Sequence, residues 1–215
     1  YTVSTDVSDV SWDLSGVYSL NENVNLYARV AKGFRAPSVQ GRLLFARAVA
    51  VADNGGVSTA DSEEVSAYGG GSKADGWDKR ARIGCNAFRY DGNDRQLIAV
   101  GGGGNSATLL NAGKTIGQGF ELDLEAYLTD SLLVTLGSSY NDTEIKDSAL
   151  AIPVCGATNF NPPICTPTDP TSVTANGTTV ANINGNPLPQ APKWVHNLTA
   201  RYSVPMGDGA ELYFY

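Results

Sequence analysis

Three cysteines, one histidine and a small group of arginines are the residues of this 215-residue chain whose types could do chemistry. Cys155 and Cys165 share one segment rich in Pro, Thr and Asn, and Cys85 stands apart in a strand-like stretch. There is no CxxC pair and His196 has no second histidine to work with, so the spacing argues against a zinc site. Cys85 is in phase with Ala81, Ile83 and Ala87, the place of a small residue on an apolar face, and no neighbouring base activates its thiol. His196 sits beside Trp194 at a strand entry, where interfacial packing or a hydrogen bond into a wet lumen accounts for it better than ligation or catalysis. Gly101–Gly104 lacks the Lys-Ser/Thr ending and the following helix of a phosphate-binding loop, and reads as a flexible loop tip. Asn176-Gly177-Thr178 has the spacing of a glycosylation acceptor and reads as a turn. Arg35, Arg42 and Arg47 flank the stretch after Phe34 and could attract an anionic ligand; ordinary loop charge explains them as well. No metal set emerges from these residues, and no resident cofactor is expected.

The elements that carry these residues read as strands. Hydrophobic residues make up 42% and charged residues 17%, which excludes a disordered chain. No stretch approaches ~18 uninterrupted apolar residues, and sustained helical periodicity is missing. The 24 glycines and 10 tyrosines favour strands and turns. With a net charge of −7, clustered contacts to nucleic-acid phosphates are not expected.

Alternation with a period of two recurs along the chain. Trp12, Leu14, Gly16, Tyr18 and Leu20 share one face, Asn21-Glu22-Asn23 turns, and Val24, Leu26, Ala28 and Val30 resume the apolar phase. Phe120, Leu122, Leu124 and Ala126 alternate with Glu121, Asp123 and Glu125; after Thr129-Asp130-Ser131 come Leu132, Val134 and Leu136. Further hairpins have arms near Lys193–Pro205 and Ala210–Tyr215, turning at Gly207-Asp208-Gly209, and near Glu64–Trp77 and Arg80–Ala99, turning at Asp78-Lys79. Short turns therefore alternate with longer connections: residues 35–62, the glycine-rich Gly101–Ser106, and 148–191. A structureless connection as long as the last is rare in compact soluble domains and routine in outer-membrane barrels. The charged Glu121, Asp123 and Glu125 fit a wet barrel interior, with Phe120, Leu122 and Leu124 against lipid and Trp12, Tyr140 and Trp194 as interfacial aromatics. A water-exposed amphipathic sheet has the same alternation and remains open at this point.

Three motifs break the tie. Asn25–Ser38 reads NLYARVAKGFRAPS, Asn111–Asp130 reads NAGKTIGQGFELDLEAYLTD, and Asn186–Tyr202 reads NPLPQAPKWVHNLTARY. In this order they resemble the barrel of TonB-dependent outer-membrane receptors: the GFRAPS strand end, the glycine-acidic strand with its T-D turn, and the LP-x-x-P entry into a late strand. The resemblance implies an all-β antiparallel transmembrane barrel of about 22 strands around a plug, of which about eight are present here. The first residue is not Met and the last lies inside an apparent strand, so residues 1–215 are expected to be a partial barrel, without the plug or the TonB-contacting segment. The short turns are then expected to be periplasmic, and 35–62 and 148–191 to be extracellular loops.

As function, the resemblance implies TonB-coupled uptake of a nutrient at the bacterial outer membrane, most often a ferric siderophore. The TonB complex, that ligand, outer-membrane lipid and lipopolysaccharide would be the partners. Arg35, Arg42 and Arg47 become candidate ligand contacts at the extracellular mouth, or contacts to lipopolysaccharide, Arg35 being the more structural because it lies inside GFRAPS. Folding through the oxidising periplasm would allow a Cys155–Cys165 disulfide, worth ~3 kcal/mol by the chain-entropy model, that stiffens a loop tip. Two other readings stay open: a self-contained barrel of about eight strands acting as an adhesin or scaffold, and a secreted all-β binding domain. One stretch departs from the family pattern. Gly70, Ser72 and Gly76 fall in the lipid-facing phase, and Cys85 and Gly92 are read as standing where larger apolar residues are expected.

Overall fold

A computed structural model describes residues 4–41, 57–101, 106–154, 168–175, 177 and 179–215. Its strands are β1 (Trp12–Asn21), β2 (Val24–Arg35), β3 (Ser38–Gly41), β4 (Val57–Ala60), β5 (Glu63–Gly76), β6 (Ala81–Gly101), β7 (Ser106–Tyr127), β8 (Leu132–Ile145), β9 (Ala151–Pro153), β10 (Thr171–Val173), β11 (Thr179–Asn182), β12 (Trp194–Met206) and β13 (Ala210–Phe214). Eight of them form one sheet in the order β1-β2-β5-β6-β7-β8-β12-β13. Every pairing in it is antiparallel. The two edge strands, β1 and β13, do not pair with each other, so the sheet is open rather than a closed eight-stranded barrel.

The four expected hairpin turns all occur, and they share one end of the sheet. The Asp75 amide donates to the Asn23 carbonyl, Tyr127 to Arg80 and Ser203 to Ser131, each at 2.8 Å, lacing each turn to the next hairpin. The β5–β6 turn runs through Trp77, Asp78 and Lys79, all at positive φ (55°, 53° and 67°), a backbone that glycine would adopt with less strain.

Register fixes the two faces. Ala74, Ile83, Leu124, Leu136 and Leu198 line up across five strands, and Leu26, Ser72, Cys85, Leu122, Ser138 and His196 make the next row. The row beyond, Gly16–Ala28–Gly70–Ala87–Phe120–Tyr140–Trp194, ends in an aromatic group. Its ring centroids lie 5.6 Å (Phe120–Tyr140) and 4.9 Å (Tyr140–Trp194) apart. Leu14 and Leu198 on this face are each 71% exposed, a degree of apolar exposure across a whole sheet face that suits lipid and not water. The opposite face carries Lys73, Gly84, Asp123, Gly137 and Asn197 in one row and Asp75, Arg82, Glu125, Thr135 and Thr199 in the next.

The glycine-rich stretch of β5 is partly explained by this register. Gly71 lies opposite Tyr27; a Cβ there would meet the Cys85 carbonyl oxygen first and then the Tyr27 side chain, so this inner-face position leaves no room for one. Gly70 faces outward with the Tyr27 carbonyl oxygen 3.2 Å from where a Cβ would be. Gly76 has open space around it, and nothing in the structure explains it. Gly92 corrects the sequence reading. It pairs with Val65 and Thr115 on the inner face, where a Cβ would meet the Thr115 hydroxyl, and is not a missing lipid-facing residue.

The other end of the sheet is more structured than its composition suggests. Residues 35–62 contain the β3–β4 ribbon. The long connection 148–191, expected to lack regular structure, holds a three-stranded sheet in the order β10-β11-β9. Strands β6 and β7 run past the sheet as a long hairpin, and these loop elements pack against it. Ala112, Ile145 and Leu188 form a small core there, with Tyr90, Leu97, Leu150 and Ile183 around it.

The ribbon side is pinned by polar groups. The Gln96 amide donates to the Glu63 carboxylate at 3.0 Å, while its side-chain Nε2 donates to the carbonyls of Ala36 (2.8 Å) and Asp61 (2.9 Å). Its Oε1 accepts from the Ser38 hydroxyl at 2.6 Å. Gln96 and Glu63 are both buried, while Ala36 and Asp61 are exposed and the Asp61 carbonyl also accepts from Asn111 at 3.1 Å. Gln96→Leu keeps the backbone bond to Glu63 and removes three side-chain hydrogen bonds, at a net ~0.5–1.5 kcal/mol each, so it is expected to cost about 2–4 kcal/mol locally. Hydrogen exchange of the full-length protein should show faster amides at Ser38–Gly41 and unchanged ones in β12. Unchanged protection at Ser38–Gly41 would refute the pinning role.

Candidate functional site

The inner face is concave. An open cavity of about 440 Å³ reaches from Asn25 on β2, through Lys73 on β5, Arg82 on β6 and Asp123 on β7, to Asn197 on β12. A flat sheet could not enclose residues from so many strands. The alternation that sends Leu122 and Leu124 outward sends Asp123 and Glu125 into this cavity. The Arg82 guanidinium contacts the Asp75 carboxylate at 2.8 Å, and Asn86 donates to Glu121 at 3.2 Å. Both signs of charge line the wall, so it is wet and able to hold a polar occupant, with no nucleophile–base pair among the lining residues. No group of three metal-binding side chains occurs among the described residues.

At the loop end, the return of the long connection leans over this inner face. The Leu188 amide donates to the Thr143 hydroxyl at 3.0 Å, Ile145 donates to the Asn186 carbonyl and Gly185 to that of Ile145, each at 2.8 Å. Thr143 lies two and four residues along β8 from Asn141 and Ser139, in the inner phase, and Tyr90, also in that phase, packs on the same core. The loop lobe is thus tied to the rim by backbone bonds.

The candidate residues fare differently. Arg35 ends β2, is exposed and faces Glu63 in register. Arg42 and Arg47 lie outside the described residues, as do Cys155 and Cys165 with their expected disulfide; among the described residues there is no disulfide, and Cys85 is free and exposed on the outer face. His196 matches the interfacial-packing reading, stacking on Trp194 at 5.4 Å; its hydrogen bond, Nδ1 to the Ser138 hydroxyl at 3.0 Å, lies on the outer face and not toward the lumen. The Gln96 hub and the loop lobe were missed from sequence. A lone Gln in a strand gives no signal, and strands of three or four residues carry too few alternations to register.

An open antiparallel sheet with an apolar convex face, a charged concave face, tight turns at one end and folded loops at the other defines a segment of an outer-membrane β-barrel. Residues 1–214 match the model of the TonB dependent receptor-like β-barrel, and the chain belongs to that family. It is accordingly a protein of the bacterial outer membrane. No curated protein matches it in sequence. Among solved structures it is similar to the ferric yersiniabactin uptake receptor FyuA from Yersinia pestis (15% identity, TM-score 0.57, 91% of this chain and 23% of that one). It is also similar to the siderophore receptor PiuA from Acinetobacter baumannii (20% identity, TM-score 0.55, 89% and 23%). A third is the ferric-catecholate import receptor Fiu from K12 E. coli (18% identity, TM-score 0.52, 89% and 22%). At such identities the likeness is one of fold, and the chain spans less than a quarter of each of these structures.

Proposed function

We propose that this chain is part of the barrel of a receptor that imports a scarce nutrient through the outer membrane with energy from the TonB complex, the nutrient being a ferric siderophore. The observation that carries this reading is the concave charged face, with a folded lobe bonded to the far end of β8. A wall of that kind suits a barrel that encloses a plug and receives a polar, water-borne ligand at a structured mouth. The three structural neighbours named above are all siderophore or ferric-chelate receptors, which supports the choice of cargo. In this reading residues 1–215 are a slice of a larger barrel, the plug and the TonB-contacting segment belong to the rest of the protein, and Arg35, Arg42 and Arg47 stand at the mouth. The short turns face the periplasm and the lobe faces outward. The protein moves its ligand and breaks no bond.

Two measurements test this. Cells that depend on the full-length protein should grow on ferric siderophores as sole iron source only while TonB is intact; growth indifferent to the receptor or to TonB would overturn the reading. An epitope inserted between Val173 and Thr174 should be reached by antibody on intact cells. Labelling only after the outer membrane is opened would reverse the orientation.

A further inference from the structure

Where the lobe meets the sheet, asparagine stands at every second position: Asn182, Asn184 and Asn186. Their chemistry differs through the residue that comes next. An asparagine carboxamide can be attacked by the backbone nitrogen of the following residue. The attack needs a nitrogen that carries a hydrogen and a neighbour small enough to approach. Asn186 precedes Pro187, whose nitrogen has no hydrogen. Asn182 precedes the β-branched Ile183, and both ends of its carboxamide are engaged: Nδ2 donates to the Ser148 carbonyl at 2.7 Å, and Oδ1 accepts from the Asn184 amide at 2.9 Å. Asn184 precedes Gly185, which has no Cβ to hinder the approach. It is exposed, and its side chain forms no hydrogen bond among the described residues. The other Asn-Gly pairs of the sequence, Asn54-Gly55 and Asn176-Gly177, do not lie wholly within the described residues.

The Gly185 nitrogen is not free while the lobe is docked. Residues 183–186 form a turn closed by the Asn186 amide on the Ile183 carbonyl at 3.1 Å, with Gly185 at φ 89°, the region that the third position of a type II turn needs. From that turn the Gly185 N–H donates to the Ile145 carbonyl at 2.8 Å, and the Ile145 amide donates back to Asn186 at 2.8 Å. Ile145 is 2% exposed. The hydrogen on the attacking nitrogen is therefore held by a buried acceptor on β8, and the nitrogen cannot lose it and turn toward the Asn184 Cγ. This hold is only as strong as the seat of the lobe. The seat consists of these bonds, the Leu188–Thr143 bond, and the small core of Ala112, Ile145 and Leu188. A region held by so few buried contacts opens at a lower cost than unfolding of the main sheet.

We propose that Asn184-Gly185 is a self-modifying site, a deamidating dipeptide that the docked lobe holds inert and that reacts when the lobe lifts from β8. In the open lobe the Gly185 nitrogen attacks the Asn184 Cγ. A new N–Cγ bond forms, the Cγ–Nδ2 bond breaks, and the proton lost by the Gly185 nitrogen passes through water to the departing ammonia. The five-membered succinimide left behind is opened by one water at either carbonyl. One opening gives aspartate; the other gives isoaspartate, with the chain rerouted through Cβ. The sum is asparagine plus water to aspartate or isoaspartate plus ammonia, and it needs no oxidant, reductant or second protein. The product alters the fold it came from. It places a carboxylate at position 184, and isoaspartate lengthens the backbone by a carbon just before Gly185, so that Gly185 and Asn186 no longer both reach Ile145. A molecule that has opened and reacted this way does not seat its lobe again.

The test follows the conversion of Asn184 by peptide mass mapping in the full-length protein, kept in detergent micelles in mildly alkaline buffer. A synthetic peptide of residues 181–188 is the reference. Asn184 should convert at least ~10-fold more slowly in the protein than in the peptide, because the lobe is closed most of the time. Asn182 and Asn186 should stay unchanged in both. Thr143→Ala removes the hydroxyl that holds Leu188, and the loss of one such hydrogen bond should speed conversion ~2- to 10-fold. In a urea series below the unfolding midpoint, conversion should rise in step with hydrogen exchange at the Gly185 amide. That readout needs no variant and stands even where Thr143→Ala folds poorly. In the isoaspartate form, the Gly185 and Leu188 amides should have lost their protection. Equal rates in protein and peptide would mean that the Ile145 bond protects nothing. A folded Thr143→Ala that converts no faster, or conversion that stays flat in urea while Gly185 exchanges freely, would mean that lobe opening does not release the reaction. Retained protection in the isoaspartate form would mean that the lobe seats again. Each of these outcomes overturns the proposal.

Discussion

Leu122→Arg is expected to destabilise the full-length protein by about 2–4 kcal/mol in a lipid bilayer, the cost of a cation near the midplane on the lipid side of a barrel. Thr135→Arg, two strands' width or less away, is expected to change stability by no more than about 0.5 kcal/mol. The two positions differ only in phase. Leu122 sits in the row Ser72–Cys85–Leu122–Ser138, five residues from the end of β7 at Tyr127, with no carboxylate in its own or the next inward row. An arginine there would have to reach past Phe120 to find the polar belt. Thr135 pairs with Glu125 on the concave face, where an arginine meets a carboxylate and water. Urea unfolding of both variants in vesicles separates the outcomes. Comparable costs at the two sites would mean that the sheet is not oriented between lipid and a wet interior as the register requires.

That prediction rests on features the sequence makes plain, and it is instructive why these were plain and others were not. Period-two alternation needs several residues to show itself, and the strands of the main sheet have them; β2, β6, β7 and β8 run from 12 to 22 residues. Tight turns of Asn, Asp, Gly and Thr then mark their ends. The lobe had no comparable signal. β9, β10 and β11 are three or four residues long, and Pro153 pairs with Val180 across more than twenty intervening positions. Gly92 was misread although its signal was present. The period of two counted from Cys85 along its own strand already puts it on the opposite face, and the pairing with Val65 and Thr115 bears this out. The candidate site divides likewise. His196 and Cys85 were legible because each sits in a strongly alternating strand. The Gln96 hub was not, because its partners Ala36, Ser38 and Asp61 come from chain segments 35 to 60 residues away.

The glycines show most clearly what register adds, and they carry the second large effect. Each of four inner-face glycines lies directly opposite a bulky partner: Gly71 and Tyr27, Gly117 and Tyr90, Gly119 and Phe88, Gly137 and Asn197. A Cβ on Gly119 would overlap the carbonyl oxygen of Tyr140 and come within 2.8 Å of the Phe88 ring. The first of these is backbone and cannot turn aside, so Gly119→Ala is expected to cost about 3 kcal/mol or to prevent assembly, at the upper end of what overpacking a tight site costs. At Gly117 the nearest obstacles are all atoms of the Tyr90 ring, which can rotate or be removed. A double-mutant cycle therefore distinguishes the two sites. Tyr90→Ala should rescue much of the loss in Gly117→Ala, whereas Phe88→Ala should rescue little of that in Gly119→Ala. Gly84→Ala is the internal control: its new Cβ would meet only the Asp123 Cβ at 3.8 Å, an ordinary contact, and alanine in place of a strand glycine should stabilise slightly. Unfolding midpoints for the five single and two double variants decide the matter. If Gly119→Ala proves as mild as Gly84→Ala, strands β7 and β8 lie further apart than they do here, and the aromatic group that Phe120 and Tyr140 build across them would have to be drawn again.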